Sequence, residues 1–75
     1  EPNWQALLGD IRITQIIQGA DGMRAKIRVG TGDTRGQWLS VGMAFNGATV
    51  KDISEKGITF VLKQNNREYT HTVMR

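Results

Sequence analysis

The segment from Met23 to Val29 alternates without a break between apolar and cationic residues. One parity holds Met23, Ala25, Ile27 and Val29, and the other holds Arg24, Lys26 and Arg28. Successive side chains of a β-strand point to opposite faces of the sheet. The pattern therefore predicts a strand whose apolar side chains face a core and whose cations lie in a row on the outside.

The preceding segment, Asp10 to Gln18, also has the composition of a strand, but its alternation is interrupted. One parity holds Ile11, Ile13 and Ile17, and Ile16 is out of step. One extra residue near Gln15 would restore the alternation, so we predict a β-bulge there. The turn Gly19 to Gly22 contains an Asp-Gly pair, which is a strong hairpin signal. The two strands are therefore predicted to form the first hairpin of the domain.

The rest of the chain consists of short strands separated by turns. We expect extended segments at residues 38–41, 48–53, 58–63 and 68–74, with Leu39 and Val41 on one face of the first of them and Trp38 on the other. Gly30 to Gln37 contains three glycines among polar residues and is predicted to be a flexible surface loop. A hairpin turn is predicted at Gln64 to Arg67, because asparagine tolerates the left-handed backbone conformation that such turns need.

The segment from Val41 to Leu62 contains glycines at three turning points of the chain. We predict positive φ angles at Gly42, Gly47 and Gly57, because residues with a Cβ resist that conformation. Gly42 and Gly47 then bracket a kink, and Gly57 lies at the tip of a hairpin. The core positions of this segment are predicted to be Val50, Ile53, Ile58, Phe60 and Leu62.

A short helix is predicted at the N-terminus. The spacing of Trp4, Leu7 and Leu8 fits one helical turn. Asn3 suits the N-cap of this turn, and Gly9 suits its end. We expect Trp4 to cover an open end of the core, or alternatively to become ordered against a partner.

Six or seven strands with short turns and no helical crossover predict antiparallel sheets. Within 75 residues, such strands bury their apolar faces only by packing two sheets together or by closing into a barrel. We therefore predict an all-β fold, a small sandwich or partly closed barrel of two short antiparallel sheets. Residues 1–9 are assigned to an N-terminal arm or linker end, and residues 10–75 to a single small β-domain.

The residue types that catalysis and metal binding need are scarce. The chain has no Cys, a single His and no acid pair predicted to converge on a cleft. Nucleophilic and acid–base catalysis need such groups within hydrogen-bond reach of one another. A zinc site needs more ligands than His71 alone supplies. We therefore expect no catalytic residue, no metal and no cofactor, and we expect His71 to be a partly buried structural residue.

The net charge of +3 gives the surface a cationic bias. The outer positions of the first hairpin hold Arg12, Arg24, Lys26 and Arg28. These cations form either a solvated face or an electrostatic docking surface. Single-stranded nucleic acid is one candidate ligand, since Trp38, Phe45 and Tyr69 could stack bases, although these aromatics are scattered over the chain. An acidic or strand-presenting protein, added to a sheet edge, is the other candidate.

Three pieces of the second half follow a pattern known from one family: Val41-Gly42, Gly47 to Val50, and Ile53 to Phe60. This pattern resembles the small periplasmic β-domain that the C subunit of type II secretion systems (its homology region) shares with the PilP lipoprotein of type IV pilus assembly. The first hairpin is similar to the opening strands of that family. Met43 departs from the family pattern where Asp is common, and Phe45 departs from it where Ile or Leu is expected.

The resemblance implies a non-enzymatic module on the inner-membrane side of a secretion or pilus machine. Such domains bind the N-terminal periplasmic domain of an outer-membrane secretin and couple the inner- and outer-membrane complexes, alongside other inner-membrane platform proteins. The protein is then expected to be periplasmic and tethered to the inner membrane by an upstream lipid anchor or transmembrane helix. The resemblance places the secretin contact on the first hairpin, and within that hairpin we predict Arg12, Thr14, Arg24, Lys26 and Arg28 as the contact residues.

Two other functions remain open at the level of the sequence. The alternative to secretin binding is a small basic β-barrel that binds single-stranded nucleic acid, a partner that the leading interpretation does not expect. A third possibility is a structural domain within a longer chain that has no ligand of its own.

Overall fold

The computed structural model describes residues 2–75, so Glu1 of the predicted arm lies outside the described residues. One short helix, α1 (Trp4–Leu8), precedes all the strands. The strands are β1 (Ile11–Gly19), β2 (Gly22–Val29), β3 (Gln37–Ser40), β4 (Ala44–Phe45), β5 (Ala48–Ser54), β6 (Gly57–Gln64) and β7 (Arg67–Met74). These seven strands agree with the six or seven predicted from the alternation of apolar and polar residues.

The strands form two antiparallel sheets. Sheet A has three strands in the order β1-β2-β3, and sheet B has four in the order β4-β5-β6-β7. β2 and β3 pack against β5, which places the core between the two sheets. The all-β prediction is confirmed, and of the two architectures considered the open one is observed, since the described strands form no closed barrel. Each open sheet has two edge strands, β1 and β3 in sheet A and β4 and β7 in sheet B, and β1 and β7 are the longer strand of each pair.

The core draws on both sheets and on α1. Its buried apolar residues are Trp4, Leu8, Ala25, Ile27, Leu39, Phe45, Ala48, Val50, Ile53, Ile58 and Phe60. Leu62, which was predicted to be internal, is half-buried at the margin of this cluster. The strand with the cleanest alternation behaves as predicted, because Ala25 and Ile27 are fully buried between the outward-facing cations of β2.

A β-bulge interrupts β1, as the broken alternation of its isoleucines predicted. The pairing passes from Ile13 opposite Ile27 to Gln15 opposite Lys26, so Thr14 is the extra residue. An extra residue reverses the side-chain parity of everything that follows it. Ile16 consequently packs against the core, while Ile17 faces outward with 38% of its surface exposed.

Helix α1 closes one side of the sandwich. The side chain of Asn3 accepts a hydrogen bond from the Ala6 backbone amide at 3.1 Å, and this confirms the predicted N-cap. Trp4 and Leu8 point into the core, with 9% and 2% of their surfaces exposed. The Asn46 side-chain amide donates to the Leu7 carbonyl oxygen at 3.0 Å and ties the helix to the β4–β5 turn. The predicted role of Trp4 as a cover for the core is the one seen.

Two predictions for the middle of the chain are wrong. Val41 does not share the face of the buried Leu39, because β3 ends at Ser40 and the chain turns, which leaves 55% of Val41 exposed. Gly57 does not take a positive φ angle, whereas Gly42 and Gly47 do, at 94° and 90°. Glycine is needed at position 57 for a different reason, since a Cβ there would collide with the carbonyl oxygen of Val73 on β7.

The β6–β7 hairpin follows its sequence signal closely. Asn65 and Asn66 form its two-residue turn with φ angles of 53° and 64°. Positive φ at both central positions is the requirement of a type I′ turn, and asparagine meets it at a low cost. The hairpin then stays in register from Gln64 opposite Arg67 to Gly57 opposite Met74.

Candidate docking surface

The outer face of sheet A brings together the cations that were predicted to bind a partner. The pairing defines three rows across the strands: Arg12–Arg28, Gln15–Lys26–Trp38 and Ile17–Arg24–Ser40. Residues paired across an antiparallel sheet project from the same face. We call these eight residues the cationic face. Four of the five predicted contact residues belong to it, and the fifth, Thr14, is the bulge residue at its edge.

Arg12 and Arg28 lie directly opposite each other in this face. The Arg12 guanidinium donates through Nη2 to the Gly30 carbonyl oxygen at 3.1 Å. The Nε atom of Arg28 is buried and has no hydrogen-bond partner among the described residues. Like charges directly opposite each other destabilise a strand pair, and a buried donor without a partner adds to that cost. The described residues around this row therefore supply no hydrogen-bond acceptor for Arg28 Nε.

No carboxylate in residues 2–75 neutralises the cationic face by direct contact. In that part of the chain the one ion pair joins Lys51 and Glu68 at 3.9 Å, and both side chains are about half exposed on sheet B. Arg12, Arg24, Lys26 and Arg28 thus project their charge outward. A surface of this kind attracts anionic partners over a distance of about 8–10 Å at physiological ionic strength.

Asp33 is the acidic residue that organises the loop beside this face. Its carboxylate accepts hydrogen bonds from the backbone amides of Gly36 at 2.9 Å, Val29 at 3.0 Å and Arg35 at 3.2 Å. The bonds from Gly36, Val29 and Arg35, together with the positive charge of Arg28, lower the pKa of Asp33 from its ordinary value of 3.8. The carboxylate is therefore engaged with the backbone instead of pairing with Arg28.

The loop between β2 and β3 is consequently shaped by specific hydrogen bonds, and the prediction of a flexible loop missed this. Gly36 has a φ angle of 71° and lies tight against β2. A Cβ at this position would lie 2.7 Å from the Ile27 carbonyl oxygen and 3.3 Å from carbon atoms of both the Lys26 and Arg28 side chains. The Asp-x-x-Gly spacing was the available sequence signal, since aspartate side chains commonly cap backbone amides in turns.

Trp38 adds an aromatic side chain to the cationic face. It is 41% exposed, and the Nζ atom of Lys26 lies 6.0 Å from the centroid of its ring. That distance is at the outer limit of a cation–π interaction. Ile17 contributes a second exposed apolar side chain in the neighbouring row. Sequence reasoning missed Ile17, although the predicted bulge already implied that it would face outward.

Thr14 has a structural role in the bulge. Its hydroxyl donates to the Lys26 carbonyl oxygen at 3.1 Å, on the neighbouring strand β2 that carries three of the cations. This bond engages a backbone carbonyl next to the extra residue and holds the bulge in place. Thr14 therefore shapes the β1 edge, while its neighbours on the face carry the charge.

The three aromatics considered for base stacking do not share a surface. Phe45 is only 7% exposed and packs against Phe60 with ring centroids 6.0 Å apart. Tyr69 is half-buried and packs against the core from β7. Trp38 alone of the three lies on the cationic face. The expectation that Phe45 could stack a base is wrong, because the fold uses it as a core residue.

His71 is exposed, so the prediction that it is partly buried is wrong. Its imidazole stacks on the indole of Trp4, with centroids 5.3 Å apart. A shallow groove of about 400 Å³ adjoins this pair between α1, the start of β1 and the end of β7. His71 therefore belongs to the packing of α1 and lies apart from the cationic face.

Among the described residues, no three His, Cys, Asp or Glu side chains are grouped closely enough to hold a metal ion. No helix in residues 2–75 has the length and apolar character to cross a membrane. Comparison with protein-family models, curated proteins and solved structures found no match to this chain.

Proposed function

We propose that this chain is a non-enzymatic periplasmic assembly domain of a type II secretion or type IV pilus system. It binds the N-terminal periplasmic domain of an outer-membrane secretin and thereby couples the inner- and outer-membrane complexes. In the full-length protein it is tethered to the inner membrane beside the other platform proteins. The secretin contact lies on the first hairpin and includes Arg12, Thr14, Arg24, Lys26 and Arg28.

The observation that carries this proposal is the cationic face beside an open sheet edge. Four cations project from one face of sheet A without a carboxylate partner in residues 2–75. Next to them, β1 has no strand on its outer side. Edge strands offer unpaired backbone groups to a second chain, and nearby charge raises the association rate and sets the register of the pairing. A protein-docking role uses both features at once.

β1 suits this role better than β7, the other long edge strand. β7 is regular along its whole length, but α1 lies beside its C-terminal half through the stack of Trp4 on His71. The bulge at Thr14 divides β1 into two short stretches, and bulges of this kind discourage indiscriminate edge pairing. A partner must therefore match the shape of the bulged edge as well as its charge.

The backbone at two glycines of the second half agrees with the resemblance from which the secretin is proposed. Gly42 and Gly47, which belong to the pattern shared with the secretion and pilus domains, both take the positive φ angles that make glycine necessary. The sheet order around them is a simple meander of hairpins. This agreement concerns the fold, and the secretin itself is proposed from the resemblance.

The proposal is tested by titrating an unlabelled secretin N-terminal domain into the isotope-labelled chain and following backbone amide shifts by NMR. We expect the largest shifts within residues 10–29. Replacing Arg24 with Gln should slow association, while replacing Lys51 with Gln on sheet B should not. If the perturbed amides avoid residues 10–29, the contact site is wrong; if no secretin domain binds, the function is wrong.

Single-stranded nucleic acid is the second candidate, because Trp38 lies beside Lys26 on the cationic face. A nucleic-acid groove normally combines basic residues with two or three stacking aromatics, and here the face supplies one. A salt titration of oligonucleotide binding separates the two functions. An affinity tighter than about 1 μM with a steep salt dependence favours the nucleic acid over the secretin.

A further inference from the structure

We infer that the cationic face binds an extended acidic segment of the protein partner, and that this segment also carries an aromatic side chain. The inference rests on the proposed docking function and specifies the chemistry of the partner. It assigns a carboxylate of the partner to the Arg12–Arg28 row. It assigns the aromatic side chain to the surface between Ile17 and Trp38.

The need for a carboxylate follows from the state of the two arginines. Arg12 and Arg28 face each other, and neither contacts a carboxylate of residues 2–75. Asp33 is nearby, but its carboxylate oxygens accept hydrogen bonds from three backbone amides. An incoming carboxylate placed between the guanidinium groups would relieve their repulsion and supply charge-assisted hydrogen bonds, which are stronger than neutral ones. The Gly36 backbone lies next to the Arg28 and Lys26 side chains, since a Cβ built at position 36 would come within 3.3 Å of a carbon atom of each.

The need for an aromatic side chain follows from the two exposed apolar residues. Ile17 and Trp38 lie in neighbouring rows on β1 and β3, with Lys26 and Arg24 of β2 between them. An aromatic ring laid across this surface would cover apolar area and contact the cations with its face. Tryptophan and arginine are also the residues that most often dominate the binding energy of protein interfaces.

The spacing of the rows indicates an extended conformation. Arg28, Lys26 and Arg24 are alternate residues of β2, so the rows are about 6–7 Å apart. Alternate side chains of an extended segment have the same spacing. An extended segment that lies over β1 and β2 can therefore place successive side chains of one parity against successive rows.

The test uses the 75-residue chain and a labelled synthetic peptide of about ten residues. In the peptide, Glu alternates with Thr, and one central position is Phe. Two matched peptides replace every Glu with Gln or the Phe with Ala. We expect the Glu-Phe peptide to bind and to shift amides of β1 and β2 in NMR spectra, and we expect both matched peptides to bind at least about fivefold more weakly, or about 1 kcal/mol.

Protein variants then assign the contacts. Arg28→Gln and Trp38→Ala should each weaken binding of the Glu-Phe peptide about five- to tenfold, in the range of interface hot spots. Lys51→Gln and Met74→Ala are the matched controls on sheet B, where one cation and one exposed apolar side chain are removed. Circular dichroism verifies that each variant is folded. An equal loss of peptide affinity in the control variants would overturn the inference, because binding would then reflect net charge or nonspecific hydrophobic contact.

Other ligands are outcomes of the same test. Tighter binding to vesicles containing anionic phospholipid, or to a single-stranded oligonucleotide, with the same sensitivity to Arg28→Gln would overturn the inference in favour of that ligand. The proposed function fails separately. If the chain binds the Glu-Phe peptide at the cationic face but binds no secretin domain, the inference stands and the proposed secretin function is wrong. If the chain binds a secretin domain outside the cationic face, the proposed secretin function stands and the inference is wrong.

Discussion

The indole of Trp4 stacks on the imidazole of His71, with ring centroids 5.3 Å apart and planes inclined by 15°. This contact joins the first turn of α1 to the last strand of sheet B. It closes the side of the sandwich where the free edges of the two sheets would otherwise leave apolar residues open to water. The helix is therefore part of the folded unit, even though it is only five residues long.

We predict that Trp4→Ala costs about 3–5 kcal/mol, the usual range for a buried tryptophan. A domain of this size has about 3–5 kcal/mol of stability in total, so the variant should be largely unfolded at 37 °C. His71→Ala should cost only about 0.5–1.5 kcal/mol, because it removes the stack but leaves Trp4 in the core. Urea denaturation measures both. Equal losses in the two variants would mean that the stack, and not burial, holds the helix.

Gly57 and Gly42 should respond differently to the same substitution. Alanine at position 42 would have its Cβ in open space, but its backbone would have to take a φ angle of 94°. We expect this strain to cost about 1–3 kcal/mol. A Cβ at Gly57 collides with the backbone of Val73 and forces β6 and β7 apart. We therefore expect Gly57→Ala to destabilise the domain more than Gly42→Ala does. Denaturation midpoints decide the order, and the reverse order contradicts the structure.

Asp33 makes stability depend on pH in a defined direction. Its pKa is lowered in the folded state, so the ionised carboxylate stabilises the fold above its ordinary value of 3.8. That contribution is lost as the pH falls through the lower, folded-state value. Asp33→Asn should lower the melting temperature at pH 7, and the melting curves of variant and wild type should converge in acid. Curves that stay parallel down to pH 2 would exclude this role.

The repulsion between Arg12 and Arg28 should make stability depend on salt. Raising the NaCl concentration from about 10 mM to about 150 mM shortens the screening length from about 30 Å to about 8 Å and should raise the melting temperature. Arg12→Gln should reduce this gain, because it removes one of the two facing charges. Lys51→Gln is the control, since Lys51 already has Glu68 beside it. An equal loss of salt dependence in both variants would point to net charge alone.

Several elements could be predicted from the sequence because their causes are local. The N-cap at Asn3, the asparagine turn of the last hairpin and the alternation of β2 depend on residues within a few positions of one another. The bulge in β1 was predictable for the same reason, since a single break in parity marks it. The cations of the first hairpin could be assigned to one outer face on this basis alone.

The candidate site was only partly predictable. The sequence indicated its cations, but it did not indicate that the Asp33 carboxylate would accept hydrogen bonds from backbone amides instead of pairing with Arg28. Nor did it remove Phe45 from the possible binding residues, since burial of that ring depends on Phe60 from another strand. The secretin partner and the periplasmic location stay predictions.

The sequence by itself determined which segments extend, where they turn and which side of each strand is apolar, because backbone preferences and side-chain alternation act over short distances. Tertiary structure alone decided what those segments meet. It placed Val73 against Gly57, exposed Val41 beyond the end of β3, and left Arg12 facing Arg28 without an ion pair to a carboxylate of residues 2–75. These features depend on strand register and sheet packing, which bring together residues far apart in the chain.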